Sequence, residues 1–329
     1  MKKVKILLSL FFLLFLITGC GSNSEKEVVA DLEKKMDSNH SYYLEGVLEI
    51  VNDENVYNYN VEVAYKKDDY YKVSLINTSN NHEQIILKNK DGVYIVTPAL
   101  NKSFKFQSDW PYSNSQIYLL QSVLNDIKND EEREFEKVDN KFVFKTSVNY
   151  PNNRKLVNQE ITLDKNLKLK SIKVYDDNHV ALMSMKFTKI DYKPTFKKDY
   201  FSLDNCVVEI GEEEESVSLL EDSIYPLSLP SGTKLVSEEK INNGERIILT
   251  FDGEKPFLLV EETVRRNDSM MVTPTNGEPY LLQDSYGVLA NNSLNFISGG
   301  VEYYLVSDVL NQDELVSVAQ SISVLPTMK

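Results

Sequence analysis

The chain has 329 residues and a formal net charge of −14 at pH 7, with 42% hydrophobic and 26% charged residues. Its length is sufficient for hydrophobic cores and predicts two domains. The acidic balance argues against nucleic acid as a partner, because phosphates bind basic surfaces, and it leaves open a basic protein partner.

The first twenty residues predict an exported protein. Lys2, Lys3 and Lys5 precede an almost unbroken apolar run over residues 6–17, which leads into Thr18-Gly19-Cys20. A positive start, a short apolar core and small residues at the cleavage site are typical of a secretory signal peptide, here residues 1–19. The run is shorter than the ~20 residues that a membrane-spanning helix needs.

The end of this segment resembles the lipobox of bacterial lipoproteins. The resemblance implies that Cys20 is acylated and anchors the chain at the outer face of the cytoplasmic membrane, after export by the Sec route. An ordinary signal peptide or an uncleaved anchor is the alternative. Loss of residues 1–19 leaves 33 basic residues against 50 acidic ones, a net charge of −17. An anionic membrane repels such a chain, so two acyl chains must provide the attachment.

The mature chain contains one further cysteine, Cys206, so no internal disulfide is predicted. Because Val207 and Val208 follow it, we interpret Cys206 as a packing residue rather than a reactive thiol. Stability must therefore come from hydrophobic cores.

A helix and a series of strands are predicted after a lipidated tether over residues 20–24. The helix, Glu25 to Met36, has one apolar stripe. Residues 56–66 alternate between apolar and polar side chains with the period of a strand that has one dry face. Strands are also predicted over residues 42–51, 70–76, 83–88 and 92–97. The short polar turns between them indicate an antiparallel meander.

The sheet is interrupted by a predicted second helix after Trp110-Pro111, where proline suits the first helical turn. Its apolar face consists of Ile117, Leu120, Val123, Leu124 and Ile127. Strands are then predicted over residues 142–148, 156–163, 167–175 and 180–192.

The acidic run over residues 212–215 marks a predicted linker, residues 208–224. Four successive glutamates lack the spacing of a calcium loop, so no metal site is predicted there. Residues 225–329 are predicted to form a small α+β domain. Its strands cover residues 246–251, 257–264, 270–274, 280–282, 287–290 and 301–306. Its last helix, from about Gln312 to Ser321, begins with a capping box of Asn311 and Glu314.

No catalytic constellation is found in the sequence. His40, His82 and His179 lie in polar segments without other ligands at zinc-binding spacing, and the common nucleotide, hydrolase and redox motifs are absent. We therefore predict no catalytic residue, cofactor or metal site, and hence no enzyme.

Tyrosines are concentrated in the first strands. Tyrosine has an apolar ring and a polar tip, which suits binding surfaces, although ordinary sheet packing explains it equally well. The candidate apolar face for a ligand or partner consists of Tyr57, Tyr59, Val61, Val63, Tyr65, Val73 and Leu75.

The order of elements resembles the LolA/RseB superfamily over about residues 25–207. The resemblance depends on a hairpin, Gly92 to Pro98 followed by Asn101 to Lys105, and on a last strand near Tyr192–Leu203. It implies an α+β fold in which an unclosed antiparallel β-barrel is covered by helices. A smaller C-terminal α/β domain follows.

The two-domain arrangement also resembles clostridial GerS-type sporulation and germination lipoproteins. This implies a non-enzymatic, membrane-anchored protein that docks a cell-envelope or spore-cortex enzyme, such as an amidase. The alternative is a carrier or sensor that binds acyl chains of lipids or lipoproteins in the hollow of the half-barrel. An enzyme acting on cell wall or lipid is the third hypothesis, and it requires acidic residues with raised pKa values in one cleft.

Overall fold

The computed structural model describes residues 24–52, 55–107, 115–150, 153, 155–208, 220, 222–282 and 285–322. This part of the chain is mostly β, with three α-helices and nineteen strands in two sheets. The predicted signal peptide, Cys20, Trp110-Pro111 and residues 212–215 lie outside it. Of the described helices, none combines the length and the apolar character needed to cross a bilayer.

The elements follow the predicted order closely. The helices are α1 (Glu25–Ser38), α2 (Leu120–Asn129) and α3 (Gln312–Gln320). The strands up to residue 191 are β1 (Ser41–Asn52), β2 (Asn55–Lys66), β3 (Tyr70–Asn77), β4 (Glu83–Asn89), β5 (Gly92–Thr97), β6 (Lys102–Phe106), β7 (Glu134–Val138), β8 (Lys141–Ser147), β9 (Asn158–Asp164), β10 (Leu169–Tyr175) and β11 (Ala181–Asp191). The remaining strands are β12 (Thr233–Ile241), β13 (Arg246–Gly253), β14 (Phe257–Thr263), β15 (Met271–Thr275), β16 (Glu278–Leu281), β17 (Tyr286–Leu289), β18 (Ser293–Ser298) and β19 (Val301–Val306).

Twelve strands form the first sheet, in the order β15-β6-β5-β4-β3-β2-β1-β11-β10-β9-β8-β7. Its neighbours are antiparallel except β15 and β6, which are parallel, with Met271 opposite Lys102. The sheet is open, because β15 and β7 form two separate edges. The antiparallel meander is thus confirmed, whereas the finer half-barrel shape stays a prediction.

Helices α1 and α2 cover one face of this sheet, which we call the inner face. A capping box begins α1: the Glu27 amide donates to Ser24 Oγ at 3.3 Å, and the Ser24 amide donates to Glu27 Oε2 at 2.7 Å. Val28 and Leu32 of α1 and Ile127 of α2 are buried in one cluster with the strands. Burial of this apolar surface provides the main driving force for placing the helices here.

The opposite face of the first sheet is covered by the segment that follows β11. Phe196, Phe201 and Cys206 pack against Ile85 and Leu87 of β4. Cys206 is a buried free thiol, and burial raises its pKa. Its predicted role as a packing residue is confirmed.

Seven strands form the second sheet, in the order β12-β13-β14-β19-β18-β17-β16, with antiparallel neighbours throughout. One face packs against α3, whose Leu315 and Val318 are buried with Leu249 and Tyr303 of the strands. The predicted capping box is present: the Glu314 amide donates to the Asn311 side chain at 3.0 Å.

The two sheets are joined through the hairpin that carried the family resemblance. Asn101, fully buried and left-handed (φ 47°, ψ 42°), donates from Nδ2 to the carbonyls of Asn267 at 2.7 Å and Val208 at 3.1 Å. The Val208 amide donates to Asn101 Oδ1 at 3.0 Å. Lys102 forms an ion pair with Glu302 of the second sheet. The boundary over residues 208–224 stays a prediction, since most of it lies outside the described residues.

Candidate functional site

The predicted tyrosine face lies on β2 and β3 and points to the inner face of the first sheet. Its aliphatic members and Tyr59 are buried, with at most 3% of each side chain exposed: Tyr59, Val61, Val63, Val73 and Leu75. Tyr57 and Tyr65 are half-buried against the same cluster. These side chains therefore form one continuous surface. That surface packs against the other buried hydrophobic residues on the inner face of the first sheet.

Stacked rings fill part of the space above these strands. The Tyr65 ring lies 5.0 Å from that of Tyr42 and 5.1 Å from that of Tyr71. Tyr42 donates its hydroxyl to Gln121 Oε1 of α2 at 2.5 Å, which links the rings to the covering helix. A ligand could reach this face only if α1 or α2 moved away.

A small apolar pocket lies where the two helices meet the ends of β9 and β10. Its empty volume, including the open space at its mouth, is about 390 Å³. Its lining residues are Leu32, Lys35, Met36, Leu120, Val123, Leu124, Ile127, Leu163, Leu167, Leu169 and Tyr192. Lys35 Nζ donates to the Asn166 and Leu167 carbonyls at 2.8 and 3.1 Å and lies 4.5 Å from the Tyr192 ring centroid. The lining contains no carboxylate.

Asp126 of α2 has a partly buried carboxyl group. Asp126 accepts hydrogen bonds from Gln159 at 2.7 Å and from Ser115 at 3.0 Å. Burial raises its pKa to about 6, and the two hydrogen bonds limit the shift. Gln159 lies in β9 and Ser115 lies in the segment before α2, so the Asp126 carboxyl links α2 to both.

A second carboxyl is fully buried beneath the other sheet. Both oxygens of Glu261 in β14 accept from the Ile224 amide, at 3.0 and 3.1 Å. Burial raises the pKa of Glu261 to about 7. It holds the segment before β12 against the α3 side of the sheet, and it does not line the pocket. Within the described residues no three His, Cys, Asp or Glu side chains are grouped closely enough to hold a metal ion.

The second sheet has an apolar face that sequence reasoning missed. The face opposite α3, which we call the outer face, carries Ile248, Leu258, Val260, Tyr304 and Val306. Ile248, Val260 and Tyr304 are cross-strand neighbours in one row, and Leu258 and Val306 pair in the next. Leu258 is 39% exposed and Tyr304 41% exposed. Contiguous exposed apolar side chains of this kind mark interaction surfaces.

The sequence contained a signal for this face. Residues 247–249, 257–260 and 303–306 are continuous apolar runs, whereas a strand with one wet face alternates. Such runs predict strands that are apolar on both faces. One of those faces packs against α3. The β17–β18 part of the other face packs into the cluster of the first sheet through Tyr286, Val288 and Ile297, whereas its β14 and β19 part leaves Leu258 and Tyr304 exposed.

No known family model matches this chain. Sporulation protein YdcC from Bacillus subtilis (strain 168) is 34% identical over 333 residues, which cover 98% of each chain. Several solved structures cover about half of this chain. The complex of the CwlD amidase from Clostridioides difficile with the GerS lipoprotein has 18% identity, a TM-score of 0.33, and covers 53% of this chain and 98% of that one.

A LolA superfamily protein from Nitrosomonas europaea has 9% identity and a TM-score of 0.29, and covers 52% of this chain and 96% of that one. Both structures come from the groups that the sequence resembles.

Proposed function

The chain belongs to the family of sporulation protein YdcC, and from this premise we propose that it serves sporulation as a non-enzymatic lipoprotein of the cell envelope that docks a protein partner. The identity over nearly the full length of both chains is the observation that carries the proposal. It confirms the resemblance to sporulation proteins inferred from the sequence.

The arrangement of ionisable groups supports binding rather than catalysis. Among the described residues, the two carboxyls with clearly raised pKa values are Asp126 on α2 and Glu261 on β14, and each accepts hydrogen bonds from structural groups far from the other. The apolar pocket contains Lys35 as its charged residue, and that amine donates to backbone carbonyls. Catalysis by a pair of carboxyl groups requires both of them to face one substrate, and these two do not.

The partner we propose is a cell-envelope or spore-cortex enzyme, such as a cell-wall amidase. Full-length tagged protein, purified from membranes of sporulating cells, is expected to co-purify with a cell-wall amidase that immunoblotting identifies. Recovery of the tagged protein without any cell-wall enzyme would count against the docking role.

Anchoring through Cys20 is part of the proposal. Metabolic labelling with palmitate is expected to mark the wild-type chain and to be lost in Cys20→Ala. Label that persists in this variant would contradict attachment through that thiol.

A second candidate function, binding of acyl chains, is favoured by the apolar pocket between α1 and α2. Native mass spectrometry of the protein released from detergent is the direct test. An acyl ligand that co-purifies or can be added would support it, and the absence of both would exclude it.

A further inference from the structure

We propose that the outer face of the second sheet is the docking surface for a protein partner that presents an apolar patch bordered by lysine and arginine side chains. This inference rests on the proposed docking function and assigns it to particular residues. Ile248, Leu258, Val260, Tyr304 and Val306 form the centre of the surface.

The geometry of this face suits a protein rather than a small molecule. Four neighbouring strands present it as one continuous sheet face, in the order β12-β13-β14-β19, and none of its residues lines the apolar pocket. Small ligands bind in concave pockets that bury most of their surface, whereas exposed apolar patches with an aromatic anchor are typical of protein interfaces. Tyr304, at the β19 end of its row and 41% exposed, is the natural anchor because it is the aromatic side chain of the surface.

Ion pairs define one border of the surface. Arg246 and Glu262, opposite each other on β13 and β14, are joined at 2.7 Å. In the same row, Glu302 pairs with Lys102 of the first sheet and accepts from Asn295 Nδ2 at 3.0 Å. These pairs neutralise the arginine and lysine at this border.

The remaining charges favour a basic partner. Asp252 and Lys234, opposite each other at one end of β13 and β12, offset each other's charge, whereas Glu239 of β12 lies opposite Ile248. The named rim residues thus leave one net negative charge, and the mature chain as a whole carries a net charge of −17. Complementary charge accelerates association and excludes wrong partners.

The same charge disfavours the other candidates. Two copies of the mature chain would bring together two net charges of −17, so a self-dimer through this face is opposed by like-charge repulsion. An anionic membrane is opposed for the same reason. Among the described residues, no other segment fully covers Leu258 and Tyr304, and each of these side chains is more than one-third exposed.

The test uses a strain that lacks this chain, complemented with full-length variants. Leu258→Ser/Tyr304→Ser removes the two most exposed apolar groups of the surface. Val56→Ser/Val138→Ser is the matched control, because Val56 and Val138 are 53% and 47% exposed on the first sheet. Glu239→Lys/Asp252→Lys reverses the rim charge. Membrane immunoblots check that all variants accumulate equally.

The surface variant is expected to lower the yield of heat-resistant spores by about tenfold or more, since loss of an anchor side chain weakens a complex by that order. The charge variant should lower it as well, and the control should restore the wild-type yield. Full restoration by the surface variant would overturn the inference. A strain without this chain that sporulates and germinates normally would overturn the proposed function itself.

Sedimentation of the purified full-length protein distinguishes the other occupants. We expect a monomer in both the wild type and the surface variant. A wild-type dimer that Leu258→Ser/Tyr304→Ser dissociates would show that the face binds a second copy, and would overturn the inference.

Discussion

At the residue scale, buried Glu261 makes stability depend on pH. Its pKa rises from 4.5 to about 7 because burial disfavours the charged form. Between these values the folded chain binds a proton that the unfolded chain releases. The free energy of unfolding therefore falls as pH rises through this window, by at most ~1.4 kcal/mol per pH unit, and levels off above pH 7.

Glu261→Gln should remove this dependence. Asp126 contributes a slope of the same sign, but only between 3.8 and about 6, so the variants separate most clearly from pH 6 to pH 7. Urea unfolding at several pH values in that interval should show falling stability in the wild type and nearly constant stability in Glu261→Gln. Identical slopes would show that Glu261 does not titrate there.

Asn101 is the second residue with a measurable structural role. Its side chain makes three hydrogen bonds that join the β5–β6 hairpin to residues 208 and 267. Asn101→Ala leaves those groups unpaired in a buried site, which should cost about 2–4 kcal/mol of unfolding free energy. Asn81→Ala is the control, because Asn81 is also left-handed (φ 56°) but exposed. An equal loss in both variants would attribute the effect to backbone strain alone.

At the element scale, α1 secures the inner face. Leu32 is 9% exposed and packs into the cluster that contains the tyrosine strands. Leu32→Ala should destabilise the chain by about 2–4 kcal/mol, because it leaves a cavity between helix and sheet. Thermal unfolding measures this. Lys26→Ala, on the exposed side of the same helix, should change stability little. An unchanged unfolding temperature in Leu32→Ala would mean that α1 does not stabilise the inner face.

Sequence periodicity predicted most strands to within a few residues, including β2, β5 and β19. It missed β6, β7, β12 and β18, and the first three were missed for physical reasons. β7 and β12 are edge strands with mostly exposed side chains, so no dry face produces an alternating pattern. β6 is only five residues long, too short for a period to be recognised. Helix α3 was predictable because its capping box is local.

At the scale of the whole molecule, the contacts between distant segments were not predictable. The pairing of β15 with β6 joins residues about 170 positions apart and depends on backbone hydrogen bonds, which no side-chain pattern encodes. The hydroxyls of Tyr118 and Tyr286, 2.7 Å apart, add a link between the segment before α2 and the second sheet. The tyrosine concentration was visible in the sequence, but its covering by α1 and α2 became evident only from packing.

We predict that the chain acts by binding a protein through the outer face of its second sheet. The most direct measurement is photo-crosslinking in sporulating cells, with a photoreactive phenylalanine analogue at position 304 and, as control, at position 56. We predict that position 304 crosslinks to one protein with a basic surface. Position 56 should not crosslink to that protein. Crosslinks from position 304 only to phospholipid, only to another copy of this chain, or to nothing would contradict the account.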